Sequence, residues 1–168
     1  CAGGVMCTAS HNPPEYNGFK ISKRKAKPVG ESTGLADVRK FAATVDFQNH
    51  FTSAGGKHDE RDLWGAYREH VLGFLDLSAR KSKRPLKVVI DASNGMAGTM
   101  VPKVFGKKGK GVEGLEIVEI NFDNSKGEFV HEPNPLVAAN LRQTRERVLA
   151  EKADVGFCYD GDADRCMV

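Results

Sequence analysis

The sequence predicts an α/β protein of two α/β units, with mainly parallel or mixed sheets flanked by helices and the first unit incomplete. Three observations carry this expectation. After Pro85 the chain alternates strand, glycine-rich turn, helix and strand, which is the pattern of a parallel sheet with helices on its faces. The opening apolar stretch runs straight into a loop stiffened by Pro13 and Pro14. Between the two lies a polar segment over 52–60 containing Gly55 and Gly56, which reads as a linker.

Taken in order, residues 3–9 are short and apolar and form a strand that feeds the loop beginning at Ser10. A second strand resumes over 19–22. Leu35, Val38, Phe41, Ala42 and Val45 then recur at the i, i+3, i+4 spacing of an amphipathic helix. Beyond the linker, Leu63, Trp64, Tyr67, Val71, Leu72 and Leu75 mark another helix. The alternating region gives a strand over 86–91, a turn over 94–98, a helix through Val101, Val104 and Phe105, and a strand over 115–120. A long loop over 121–135 follows, then a helix over 136–152 and a strand over 154–159. In open α/β sheets ligands bind beyond the carboxyl ends of the strands, where the Ser10 loop and the residues after Tyr159 both belong.

Composition excludes several classes of function. With 168 residues, 40% apolar and 28% charged, the chain is an ordinary globular sequence, and no run of about 18 apolar residues predicts a membrane span. The net charge of +3, from 25 basic and 22 acidic residues, is too balanced to argue for nucleic acid without a motif, and none is present. The basic runs at 23–27 and 107–110 sit beside Pro28, Gly106 and Gly111 and read as solvated turns. Cys1, Cys7, Cys158 and Cys166 form no zinc spacing and are expected to be reduced thiols of a cytoplasmic protein. The first residue is Cys1 rather than Met, so a processed or truncated start is expected.

The run Asp160-Gly161-Asp162-Ala163-Asp164-Arg165 offers three carboxylates at alternate positions, separated by small residues that let the backbone fold tightly. Such a loop can aim all three at one hard cation, and oxygen-only ligation suits Mg²⁺, which commonly keeps positions for water or phosphate. A calcium hand shares the Asp-x-Asp-x-Asp opening but needs Gly at its sixth position, where this chain has Arg165. A plain acidic turn is the bland alternative, although three crowded carboxylates repel one another.

The second signal is Thr8-Ala9-Ser10-His11-Asn12-Pro13-Pro14-Glu15-Tyr16-Asn17-Gly18-Phe19-Lys20. Ser10 places a hydroxyl on a stiff loop, His11 exchanges protons near neutral pH, and Lys20 supplies a cation or a base. A serine and a histidine side by side in a loop are more often an ordinary turn than a nucleophile. The presence of the carboxylate loop reverses that balance. His70, His131 and Asn134 are read as structural or surface residues, and Ser93 and Asn94 as a simple turn.

The two runs, in this order, closely resemble the phosphoserine loop and the magnesium loop of the α-D-phosphohexomutase family, which includes phosphomannomutases and phosphoglucomutases. Lys87-Val88-Val89-Ile90-Asp91-Ala92-Ser93-Asn94-Gly95-Met96 and Glu132-Pro133-Asn134-Pro135-Leu136 are similar to the family's second domain. The resemblance implies that residues 1–58 are the C-terminal part of the first domain and 59–168 the second. It implies that Ser10 carries the phosphoryl group, and that Asp160, Asp162 and Asp164 hold one Mg²⁺ ion together with an oxygen of phosphorylated Ser10. Arg165 would contact the phosphate, with His11 and Lys20 as proton-transfer groups. The implied substrate is a hexose phosphate, rearranged between its 1 and 6 positions through a hexose 1,6-bisphosphate.

Family members generally have four domains, and nothing here is similar to the sugar-selecting or distal phosphate-binding loops. The expected partners are therefore the missing domains of the same enzyme, with self-association through an exposed sheet edge, and the isolated chain is not expected to complete a cycle. Two alternatives stand beside the enzyme: a non-catalytic magnesium- and phosphate-binding module, and a structural piece completed by a partner chain.

Overall fold

The computed structural model describes residues 1–13, 15–46, 56–78 and 80–168. Pro14 and positions 52–55 of the expected linker lie outside these residues, and 56–60 have neither helix nor strand. The chain divides into two compact units, one of residues 1–8 and 18–61 and one of 9–17 and 62–168.

The first unit is a three-stranded antiparallel sheet in the order β1-β2-β3, with β1 at Gly3–Cys7, β2 at Phe19–Lys23 and β3 at Lys27–Pro28. Helix α1 spans Leu35–Thr44. Its sheet is antiparallel because β1 and β2 pair Val5 with Ile21, and β2 returns through a turn at Arg24–Ala26 to pair Lys23 with Lys27. The basic run at 23–27 is thus the exposed turn of a hairpin. None of the described side chains of this unit is fully buried, and Val5, Phe19 and Phe41 are each 60% exposed or more.

The second unit is built on a four-stranded mixed sheet in the order β5-β4-β6-β7. Strands β4 (Leu86–Asp91), β5 (Leu115–Ile120) and β6 (Val155–Tyr159) are parallel, and β7 (Cys166–Met167) runs antiparallel to β6. Helix α2 (Trp64–Leu72) starts where Asp62 Oδ1 accepts the Trp64 N–H at 2.9 Å, satisfying one of the free donors of its first turn. It packs on α3 (Ala97–Phe105).

Alternation along β4 sorts its side chains between two faces. Val88, Ile90 and Ala92 pack with Ala97, Val101 and Ile117 in one buried cluster. Val89 and Asp91 point to the other face, toward α4 (Arg142–Glu151), whose Thr144 bonds Asp91. Burial on both faces suits the apolar run Val88-Val89-Ile90 within β4.

Two expectations are corrected, and two short strands are additional. The helix expected over 136–152 is shorter: a 3₁₀ turn at Ala138–Leu141 leads into α4, and Leu136 is 65% exposed. Asn134 Oδ1 accepts the Leu136 N–H at 3.2 Å, so a side-chain turn holds that segment instead. The helix expected through Leu75 ends at Leu72, where the chain turns at Gly73. The two-residue strands β3 and β7 were not expected, being too short to show a period.

The two units should differ in sensitivity to substitution. Ile90→Ala removes a side chain that is 4% exposed in the core and is expected to destabilise the second unit by about 2–5 kcal/mol. Phe19→Ala, at a position 68% exposed, should change stability by no more than about 0.5 kcal/mol. Urea denaturation of the two variants measures both.

Candidate functional site

The loop over 160–165 is the connection of a tight hairpin, since Tyr159 on β6 pairs with Cys166 on β7 and the Asp160 N–H donates to the Arg165 carbonyl at 3.1 Å. It leaves the carboxyl end of the central parallel strands. Asp160 has no exposure to solvent. Its Oδ1 accepts the N–H groups of Asp164 and Arg165 at 3.1 and 3.2 Å, and its Oδ2 accepts Arg165 Nε at 2.9 Å. Asp162 is half-buried and Asp164 exposed. One oxygen from each of the three carboxylates lies within 4.8 Å of the others, the kind of hard-donor cluster that fits an oxygen-preferring divalent cation.

Ser10 stands beside this loop although 150 residues separate it from Asp160. Its Oγ is 3.4 Å from Asp160 Oδ2 and 3.3 Å from Asp162 Oδ1, and it accepts Arg165 Nη2 at 3.3 Å. These separations are long for hydroxyl hydrogen bonds, so the group is positioned without being tied to one partner. Ser10 is in the left-handed region at φ 57°, a conformation that costs a non-glycine residue free energy and that the surrounding contacts hold in place.

His11 Nδ1 lies 3.4 Å from Ser10 Oγ and also contacts Arg165 Nη2. Lys20 lies on β2 of the first unit, exposed and opposite Met6.

The hairpin loop rests on the turn over 93–96. A Cβ on Gly95 would meet the Gly161 carbonyl oxygen at 2.5 Å, and one on Gly161 would collide with the Ser10 carbonyl oxygen, so three backbone segments meet where only glycine fits. Met96 N donates to the Gly161 carbonyl at 2.9 Å and Ser93 Oγ to the Tyr159 carbonyl at 2.6 Å. Ser93, read from sequence with Asn94 as a plain turn, thus bonds the strand end that leads into the carboxylate loop. Both are left-handed, at φ 48° and 52°.

A second cluster, Asp91 with His131 and Cys158, also gathers three potential ligand atoms within 4.8 Å. Sequence reading passed over Asp91 and placed His131 among structural residues. The available signal was an aspartate directly following the apolar run Val88-Val89-Ile90 at the end of a strand. Burial pushes the Cys158 thiol up to about 11. An apolar hollow of about 370 Å³ lined by Leu141, Val148, Leu149 and Met167 contains none of the candidate residues. Among the described residues no helix is long and apolar enough to cross a membrane.

Comparison with known proteins agrees with this geometry. Residues 65–168 match the family described as phosphoglucomutase/phosphomannomutase, alpha/beta/alpha domain II, and residues 1–49 match alpha/beta/alpha domain I of the same family. The chain is 36% identical over 168 residues to a phosphomannomutase of Escherichia coli (strain K12), covering 99% of this chain and 36% of that protein. A phosphoglucomutase of Neisseria gonorrhoeae is 37% identical over 174 residues, covering 100% of this chain and 34% of its own length. A solved phosphoglucomutase/phosphomannomutase family protein from Burkholderia thailandensis superposes with a TM-score of 0.74 at 32% identity, covering 98% of this chain and 32% of that one. The chain therefore spans about a third of the length of the relatives it matches. With both family domains matched, and with homology running through the serine loop and the carboxylate hairpin alike, the chain belongs to the phosphoglucomutase/phosphomannomutase family.

Proposed function

We propose that this chain supplies the phosphoryl-carrying serine and the cation-binding loop of a phosphohexomutase, an enzyme that moves a phosphoryl group between the 1 and 6 positions of a hexose phosphate. In this reading residues 1–58 are the C-terminal part of the family's first domain and 59–168 its second. The observation that carries it is the convergence of Ser10 Oγ, Asp160, Asp162, Arg165 and His11 from sequence positions about 150 residues apart.

Phosphorylated Ser10 brings about −1.5 to −2 charges beside three carboxylates. Asp160, Asp162 and Asp164, with an oxygen of the phosphoserine, would hold Mg²⁺, which would offset that charge and polarise the phosphoryl oxygens. Arg165 places its guanidinium between Asp160 and Ser10 and offers its remaining donors to the phosphoryl group. In transfer, a sugar hydroxyl forms a bond to phosphorus as the bond from phosphorus to Ser10 Oγ breaks. The hydroxyl proton must leave and Oγ must regain one. His11 Nδ1 faces Ser10 Oγ, so His11 is the proposed group that returns a proton to Oγ from a protonated Nδ1. Lys20 is the proposed acceptor from the sugar hydroxyl. The return step runs the same transfers in reverse from the bisphosphate, leaving Ser10 phosphorylated again.

Three outcomes are expected. Asp162→Asn should weaken Mg²⁺ binding by about tenfold or more, roughly 1.4 kcal/mol, in isothermal calorimetry. An unchanged affinity removes the loop from the metal assignment. Incubation with labelled glucose 1,6-bisphosphate and Mg²⁺ should label Ser10, and Ser10→Ala should take up none. The same 168-residue chain should show no sustained turnover in a coupled assay with glucose 1-phosphate or mannose 1-phosphate, because the bisphosphate needs further groups to hold it while it reorients. Absence of any labelling would favour a non-catalytic phosphate-binding module instead. In a longer chain carrying all the family's domains, Lys20→Met should lower turnover by roughly 10²–10⁴-fold with Mg²⁺ binding retained; near-normal turnover excludes Lys20 from proton transfer.

A further inference from the structure

Asp91 closes β4 with its carboxylate fully buried. Its Oδ1 accepts Ser93 N–H at 2.9 Å and Asn121 Nδ2 at 3.0 Å, and its Oδ2 accepts His131 Nε2 and Thr144 Oγ1, each at 3.2 Å. The donors come from four separate segments: the turn after β4, the end of β5, the loop before α4, and α4 itself. All the acceptor capacity of the carboxylate is in use. On the other side of the imidazole, His131 Nδ1 faces the Glu132 carbonyl oxygen at 2.9 Å. Both partners of the ring accept, so both ring nitrogens must carry protons, and His131 is an imidazolium.

We propose that the buried Asp91–His131 ion pair is the positioning device of the phosphoryl-transfer site, holding the turn over 93–96 and the loop over 129–131 against the hairpin that carries Asp160, Asp162 and Asp164. This rests on the function proposed above. The physical links are direct. Asp91 fixes the Ser93 N–H, Ser93 Oγ holds the Tyr159 carbonyl, and Met96 N holds the Gly161 carbonyl. From the other side, Val130 N donates to Asn94 Oδ1 at 3.0 Å, and the Phe129 ring lies 3.8 Å from where a Gly161 Cβ would be. His131 is thus a positioning residue that touches no reacting atom.

The same three side chains could instead be read as a site for a soft cation, with Cys158 as a thiolate. Two features oppose that reading. Asp91 is saturated by protein donors, and burial keeps Cys158 a neutral thiol.

Among the described residues the charged side chain facing the imidazole is Asp91 on β4; Cys158 on β6, Thr144 on α4 and Asn121 just after β5 are uncharged neighbours. The hydrogen bond to Asp91 raises His131 above its usual 6.5. Burial acts to raise Asp91, but the hydrogen bonds from His131, Asn121 and Ser93 outweigh it and bring the group below 3.8. A raised histidine contributes fully below its unfolded value and is lost as pH rises through its folded one. A lowered aspartate contributes above its unfolded value and is lost as pH falls through its folded one. The pair therefore holds from somewhat below pH 3.8 to somewhat above pH 6.5.

The experiment has two arms on the metal-free 168-residue chain. Nitrogen NMR of the His131 ring in the unaltered protein should show both nitrogens protonated at pH 6.5, with deprotonation at higher pH; a ring with one bare nitrogen at pH 6.5 overturns the proposal without any variant. In the second arm, Mg²⁺ affinity is measured at pH 6.5 for His131→Gln, with circular dichroism as a check on folding. The expected loss is about tenfold or more, as for other groups that orient metal ligands indirectly. The loss relative to the unaltered protein should shrink as the pH is raised through the point at which the His131 ring deprotonates in the first arm. If His131→Gln does not fold, Thr144→Val, which removes one donor to Asp91 and keeps its shape, should give a smaller loss in the same assay. Unchanged affinity in the folded variant, with Asp162→Asn still weakened, overturns the positioning role alone. Unchanged affinity in both overturns the metal reading beneath it, and with it this proposal. Stoichiometric Zn²⁺ uptake abolished by Cys158→Ser would replace the ion pair with a metal centre.

Discussion

A carboxylate without access to water must recover its lost hydration from protein donors or it will not stay ionised. Asp160 and Asp91 are both in that position, with no exposed surface. Asp160 recovers it from two backbone N–H groups of its own hairpin and from Arg165. Asp91 recovers it from four segments. Each set of donors fixes the backbone that supplies it, so the need to keep two charges solvated shapes the loops around them. The half-buried Asp162 and exposed Asp164 sit on a frame that Asp160 has already set.

The frame is transmitted by contact as well as by charge. Because Gly95 and Gly161 lack side chains, the turn after β4, the hairpin after β6 and the Ser10 loop approach backbone to backbone. Movement of one segment is then felt by the next without an intervening side chain to absorb it. The first unit has no comparable constraint. Its antiparallel sheet leaves every described side chain at least partly exposed, as a small sheet with little to cover it must.

Much of the second unit was legible in the sequence. Leu86–Asp91 and Leu115–Ile120 are strands over the expected residues, because their β-branched side chains are those that suit an extended, buried backbone. Leu136 and Val137 were misread as the start of a helix since apolar residues at helical spacing carry the same signal whether or not they pack. The turn made by Asn134, beside the buried Pro133 and Pro135, decides otherwise. The candidate residues of the two loops stood out in the sequence because their types sit close together along the chain. The Asp91 network was not, because its donors meet only after β4, β5 and α4 have assembled. The left-handed backbone of Ser10 was equally hidden, since serine carries no signal for it.

The separation of 150 residues between Ser10 and Asp160 also has a consequence for biosynthesis. At the roughly 5–20 residues per second of translation, about 10–30 s pass between the emergence of the serine and that of its partners. Throughout that interval Ser10 lacks the Asp160, Asp162 and Arg165 side chains that surround it in the folded chain. Over these 150 residues of synthesis the Ser10 loop exists without the carboxylate hairpin it meets in the folded chain. The cluster around Ser10 forms only when the hairpin docks.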